Sequence, residues 1–279
     1  MEVLIKGLSF AEGPRWHKGA LYFSDFYTHS VHRLDMDDSL HTVATVPKQP
    51  SGLGWLPDGR MLIVSMLDRR LLRLEADGNL VEHADLSAYA TWHCNDMVVD
   101  GNGRAYVGNF GFDTHGDAPH QLANLIRVDP DGTVSIAAEG FDFPNGAVIT
   151  PDGSTLVVGE TRGKCLTAFS IDANGNLSDR RVWADLDPYF PDGICLDAEG
   201  HIWVADPRNG CLIRVAEDGA IAEKIDLDSG EYAYACALGG PDRKTLYFCA
   251  GTGSGEHAKA RREAEIRSVS VEVAGVGWP

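Results

Sequence analysis

The sequence predicts an all-β fold, a six-bladed β-propeller of four-stranded blades whose ring is closed by the N-terminal strand. Three observations predict it. Helical periodicity is scarce, and short runs rich in Val, Ile, Leu, Tyr and Trp are broken by Gly, Asp, Asn and Pro at intervals of about ten residues. One pattern, a turn followed by an apolar strand that ends in a small or polar residue, recurs in ALYFSD, RMLIVS, RAYVGN, TLVVGE, HIWVAD and TLYFCA. A spare strand, EVLIKG, stands at the N-terminus, and the last unit is one strand short.

Aligned on those runs, the six units begin AEGPRWHKGALYF, PSGLGWLPDGRMLIV, CNDMVVDGNGRAYV, PNGAVITPDGSTLVV, PDGICLDAEGHIWV and YACALGGPDRKTLYF. Their second residues are Glu12, Ser51, Asn95, Asn145, Asp192 and Ala235, at intervals of 39, 44, 50, 47 and 43. Each interval suits four short strands, the period of a propeller blade. SVHRLD, LLRLEAD, LIRVDPD, LTAFSID, LIRVAED and IRSVSVE supply third strands, and HTVATV, LVEHAD, TVSIAAE, LSDRRVW and AIAEKID supply fourth strands for five units. EVLIKG then completes the sixth and removes the open sheet edges. No linker or composition shift divides the chain, so residues 1–279 read as one domain.

The formal net charge is −17, from 41 acidic against 24 basic residues. That argues against nucleic acid and anionic membranes as partners and favours solubility and attraction of cations. The cysteines at 94, 165, 195, 211, 236 and 249 lie far apart, without C-x-x-C pairs. The N-terminus lacks a basic region followed by a long apolar stretch, and no apolar run is long enough to span a membrane. The expectation is a cytoplasmic protein, a monomer or small homo-oligomer, acting on a small molecule.

Pro-Asp-Gly at 57–59, 130–132 and 151–153 sits between two apolar runs, where a turn belongs. At 191–193 it comes too early, because GICLD follows and has its own turn at 197–200. The six-unit register assigns Asp192 instead to the innermost strand, where equivalent positions of all blades form a ring around the axis. Four of those six positions are carboxylates or carboxamides, and Gly follows in four (Gly13, Gly52, Gly146, Gly193), which fits close backbone approach. Two converging carboxylates with no Lys or Arg in the ring repel unless a cation neutralises them. The donors are all oxygen, which suits a hard divalent cation, Ca²⁺ first, then Mg²⁺ or Mn²⁺; Zn²⁺ usually recruits His or Cys. The alternative is a water-filled, hydrogen-bonded plug.

The ring faces the blade-to-blade loops and the loops between second and third strands. Those at 108–124 and 250–264 are far longer than a hairpin needs, and the first, with Phe110, Phe112 and Asp113, is a candidate lid. GTGSG at 251–255 precedes no helical pattern and reads as a flexible loop tip. Phe26, Tyr27, Trp92, His93, Tyr189 and Phe190 crowd the same face, and His93, two residues before Asn95, should reach the mouth. His29, His115, His120 and His257 read as solvated loop residues. G-x-S-x-G, H-E-x-x-H and a phosphate-binding Gly loop are all missing from the sequence.

With AEGPRW, CNDMVVDGNGRAYVGN, PNGAVITPDGSTLVV and PDGICLDAEGHIWVA in this order, the sequence resembles the family of regucalcin, gluconolactonase and luciferin-regenerating enzyme along essentially its whole length. The resemblance implies a six-bladed propeller that hydrolyses lactones with one divalent cation near its axis. It implies Glu12, Asn145 and Asp192 as metal ligands, Asp192 also as catalytic general base, and Asn95 as a substrate contact. Two further substrate contacts fall on His93 and Asp113; His93 stands where some members have Arg, which departs from their sugar-lactone pattern. Two other readings stay open: a non-hydrolytic enzyme resembling strictosidine synthase, and a calcium-binding propeller without catalysis.

Overall fold

The computed structural model describes residues 1–114 and 116–277. It is a six-bladed β-propeller of antiparallel four-stranded sheets. The innermost strands are Ala11–His17, Pro50–Trp55, Cys94–Val99, Pro144–Ile149, Ile194–Leu196 and Tyr232–Gly239, in blades 1 to 6. The N-terminal strand Glu2–Leu8 pairs antiparallel with Ala264–Ser270 as the outermost strand of blade 6, so the ring closes as the spare strand predicted.

Apolar side chains bind neighbouring blades face to face. Among the described residues they form six clusters, each lying chiefly between two adjacent blades. The strands just outside the axis are apolar on both faces because each packs against a sheet on either side; Met61–Ser65, Ala105–Asn109 and Ile202–Asp206 are buried throughout. Outermost strands alternate or are exposed, as in Ile221–Asp226. That gradient explains why the second-strand runs were the legible signal.

Turns on the face away from the site hold the Pro-Asp-Gly motifs at 57–59, 130–132 and 151–153. At 57–59 the Gly59 N–H donates to Leu56 O (2.9 Å), and Gly59 sits at φ +90°, a conformation glycine adopts without cost. The 250–264 loop departs from expectation. The GTGSG of 251–255, expected to precede no helix, leads into one: Gly255–Arg261 is a seven-residue α-helix. Glu256 in its first turn and Lys259 and Arg261 in its last complement the helix dipole, and the Gly255 N–H donates to Tyr27 Oη (2.8 Å), tying it to blade 1. Tertiary contact, rather than periodicity, makes so short a helix. All six cysteines are free thiols.

Candidate active site

Five of the six innermost strands break register with their neighbours where the ring residue stands: between Glu12 and Arg15, Pro50 and Leu53, Cys94 and Met97, Pro144 and Ala147, and Ala233 and Ala235. In blade 5 the regular strand begins only at Ile194, and the Asp192 N–H donates to Ala205 O (3.0 Å) ahead of it. Such bulges re-aim a side chain out of the ladder, here toward the axis. The glycine that follows in four blades lets the next blade come close. A Cβ on Gly146 would lie 2.5 Å from Ile194 N and 2.7 Å from Asp192 O, and one on Gly193 would lie 2.4 Å from Ala235 Cβ.

Hydrogen bonds link part of the predicted ring. The Asn95 amide donates to Asn145 Oδ1 (3.0 Å), Asn145 donates to Thr161 Oγ1 (3.1 Å), and Thr161 donates to Pro191 O (2.7 Å), next to Asp192. Ser51 Oγ reaches Asn95 Oδ1 at 3.4 Å. Asn95, Asn145 and Asp192 are 7%, 7% and 8% exposed. Glu12 is partly buried, and its Oε2 accepts the Gly13 N–H (3.0 Å).

The two ring acids hold their protons well above the usual carboxylate range. For Glu12 burial is the main cause and the charge of Asp192 the next. For Asp192 burial again leads, followed by the charge of Asp96, while a hydrogen bond from Asn145 opposes the shift. Neither forms an ion pair among the described residues. The ring itself carries no Lys or Arg, but Arg15 stands close enough for its charge to act weakly on Glu12. It is engaged with Asp96, which the sequence reading had not singled out.

Sequence reasoning also missed four residues that hold the ring. Each ends the second strand of a blade and grips the segment entering its first strand. Asp25 accepts the N–H groups of Ser9 (3.0 Å) and Phe10 (2.8 Å) ahead of Glu12. Asn109 accepts from Thr91 Oγ1 (3.2 Å) ahead of Asn95, and Glu160 accepts the Asp142 N–H (2.7 Å) ahead of Asn145. Asp206 accepts the Phe190 N–H (3.1 Å) ahead of Asp192. In blades 2 and 6, whose ring positions are Ser51 and Ala235, the corresponding residues are Ser65 and Ala250. The polar endings of YFSD, YVGN, VVGE and WVAD were the available signal.

Tyr234 was missed as well. The register shift at Ala235 inserts it into the mouth of blade 6, with its ring 4.5 Å from that of Phe10. Burial and the charges of Asp192 and Glu12 push its phenol upward. Opposite, Trp92, His93, Phe110 and Phe143 form a continuous aromatic wall, with centroid separations of 4.6, 6.1 and 4.7 Å along it. Asp113 lies in the 108–124 loop, and its Oδ1 accepts the Gly116 N–H (3.0 Å). His120 pairs with Asp142 at 2.8 Å, and His257 is exposed. His29 is half-buried rather than solvated, and His115 lies outside the described residues.

A model of the SMP-30/Gluconolactonase/LRE-like region matches residues 10–252. A pentonolactonase, XacC, from Haloferax volcanii is 31% identical over 278 residues, covering 96% of this chain and 92% of the relative. Among solved structures, a luciferin-regenerating enzyme superposes with a TM-score of 0.84 at 20% identity, covering 99% of this chain and 97% of its own. The calcium-binding protein regucalcin of Agrobacterium tumefaciens superposes with a TM-score of 0.81 at 23% identity, covering 100% and 96%.

Proposed function

Because the chain belongs to the SMP-30/gluconolactonase/LRE-like family, we propose that it is a hydrolase that opens a lactone ring, with one divalent cation held by Glu12, Asn145 and Asp192. One observation carries this reading. Two carboxylates, Glu12 partly buried and Asp192 buried, stand close enough for the charge of one to act on the other, with no ion-pair partner among the described residues, and the hydrogen-bonded amides of Asn95 and Asn145 belong to the same ring. Burial makes such a charge costly unless it is compensated. The donors are all oxygen, the set a hard cation such as Ca²⁺ takes, with Mg²⁺ and Mn²⁺ next. The name of the Haloferax relative supports the lactonase class, and that of the Agrobacterium protein supports calcium.

A bound cation would polarise the lactone carbonyl and stabilise the negative charge that develops on its oxygen. This chain's residues do the rest. Asp192 takes a proton from the attacking water as its oxygen bonds to the carbonyl carbon. The ester C–O bond then breaks, and the departing ring oxygen takes that proton back, leaving a hydroxy acid. At neutral pH the new acid ionises, so one proton is released per turnover. Asn95, held against Asn145, orients the lactone or the water. His93 contributes through the aromatic wall, which offers a stacking surface to the C–H face of a lactone ring. Asp113 is proposed as a polar contact from the loop above.

The test is proton release from a panel of aldonolactones and alkyl lactones by chelated protein, alone and with Ca²⁺, Mn²⁺ or Zn²⁺ added. Turnover that appears only with a cation supports the proposal. Tight cation binding with no turnover of any lactone would instead favour a calcium-binding propeller, and turnover indifferent to chelation would remove the cation from the mechanism.

A further inference from the structure

The inner strands obey a simple rule with two exceptions. The residue after the ring position is Gly13, Gly52, Gly146, Gly193 or Cys236 in five blades, but Asp96 in blade 3. The third residue after the ring position is Gly54, Val98, Val148, Cys195 or Leu238 in five blades, but Arg15 in blade 1. These two exceptions meet. Arg15 Nη2 donates to Asp96 Oδ1 (2.7 Å), Asp96 Oδ2 (2.9 Å) and Met97 O (2.8 Å), while Nη1 donates to Pro14 O (2.9 Å). Both side chains are 8% exposed.

Blade 2 stands between them and makes room by lacking a side chain. A Cβ on Gly52 would come within 2.7 Å of Asp96 Oδ1 and 2.5 Å of Met97 N. Asp96 Oδ1 also accepts the Met97 N–H (2.8 Å), so the carboxylate and the guanidinium together clasp the bulge between Cys94 and Met97. Asn95 is the other residue of that bulge, and its amide points at Asn145. A buried ion pair is a weak stabiliser relative to apolar packing, because both charges must be stripped of water. What it supplies here is direction.

We infer that Arg15 and Asp96 are positioning residues: their ion pair, reaching from blade 1 to blade 3 over Gly52, holds the bulge in the register that aims the Asn95 amide at Asn145. They act on the reaction through Asn95, so the kinetic part of the inference rests on the lactonase reading.

The experiment compares Asp96→Asn, Asn95→Ala and the double variant in the full-length protein. Arg15→Lys is a second probe of the same clasp should Asp96→Asn fail to fold. Turnover is measured with saturating Mn²⁺, and Mn²⁺ affinity is measured separately on chelated protein. The side-chain amide resonances of Asn95, assigned by their loss in Asn95→Ala, are followed without metal. Asp96→Asn is expected to lower kcat about tenfold or more, with KM and Mn²⁺ affinity within about threefold, as misplacement of a contact does. The double variant is expected to be no slower than Asn95→Ala, since coupled residues do not add, and the Asn95 amide resonances should shift or split.

Multiplying effects in the double variant would overturn the inference. So would wild-type kcat and unmoved Asn95 resonances in Asp96→Asn, whatever its melting temperature. If the wild type opens no lactone, the lactonase reading falls, and the amide resonances alone decide whether the clasp positions Asn95.

Discussion

Compare the triplets Pro151-Asp152-Gly153 and Pro191-Asp192-Gly193. Pro151 is exposed at a turn, whereas Pro191 is buried and its carbonyl accepts the Thr161 hydroxyl (2.7 Å). Asp152 is solvated, and hydrogen bonds from Thr150 and Ser154 hold its carboxyl below the ordinary value of 3.8. Asp192 is enclosed, and burial with a like charge nearby pushes its carboxyl well above that value. Gly153 adopts φ +72° with open space where a Cβ would be. Gly193 has no such φ and is glycine because Ala235 leaves no room. One motif serves backbone conformation at the first site and charge and space at the second, because only the second lies where blades converge.

The sharpest way to break this comparison is at the aspartates. Asp192→Asn keeps the shape but removes the proposed base and cation ligand, and lactone turnover should fall by about a thousandfold or more. The fold should remain intact or gain stability without cation, since a disfavoured buried charge is gone. A large loss of melting temperature in that variant would mark Asp192 as structural. Asp152→Asn should leave turnover and the unfolding midpoint unchanged within error.

The glycines separate next. Gly193→Ala forces a methyl into the backbone and Cβ of Ala235, costing about 1–3 kcal/mol or more as overpacking does, and should disturb Asp192 and turnover. Gly153→Ala meets no atom and costs only its left-handed backbone, about 1–2 kcal/mol, with kcat unchanged. Denaturant midpoints and kcat measured on both variants distinguish loss of space from loss of conformation.

A pH series on chelated protein tests the charges with opposite signs. The folded values of Glu12 and Asp192 are raised above their ordinary 4.5 and 3.8, so the folded state binds more protons than the unfolded chain above those values. Stability contributed by these groups therefore falls as pH rises from about 4 toward their folded values, by at most about 1.4 kcal/mol per pH unit per group. Asp152, whose folded value is lowered, contributes in the other direction: its share is present above 3.8 and lost as pH falls through the folded value. The slope difference between wild type and Asp192→Asn should isolate the first effect, and saturating Ca²⁺ should flatten it. Equal slopes in the two proteins would show that burial does not charge-frustrate the ring.

The sequence by itself determined the architecture and the membership of the ring. Six units at regular spacing, with a missing last strand matched by a spare first one, specify a closed propeller, because every edge needs a partner and each unit buries its faces only against its neighbours. Rotational repetition then brings Glu12, Asn95, Asn145 and Asp192 to one level of the axis, however far apart they stand in the chain. What only the tertiary structure decided is how those side chains are aimed and charged. The bulges, the anchors Asp25, Asn109, Glu160 and Asp206, and the intrusion of Tyr234 depend on register shifts that no periodicity encodes. The reach of Arg15 to Asp96 crosses a whole blade and required Gly52 to be seen as space. The helix at Gly255–Arg261 is too short to announce itself and exists by its contact with Tyr27. Local pattern sets which residues recur, whereas burial and charge are properties of neighbours that meet only when the ring closes.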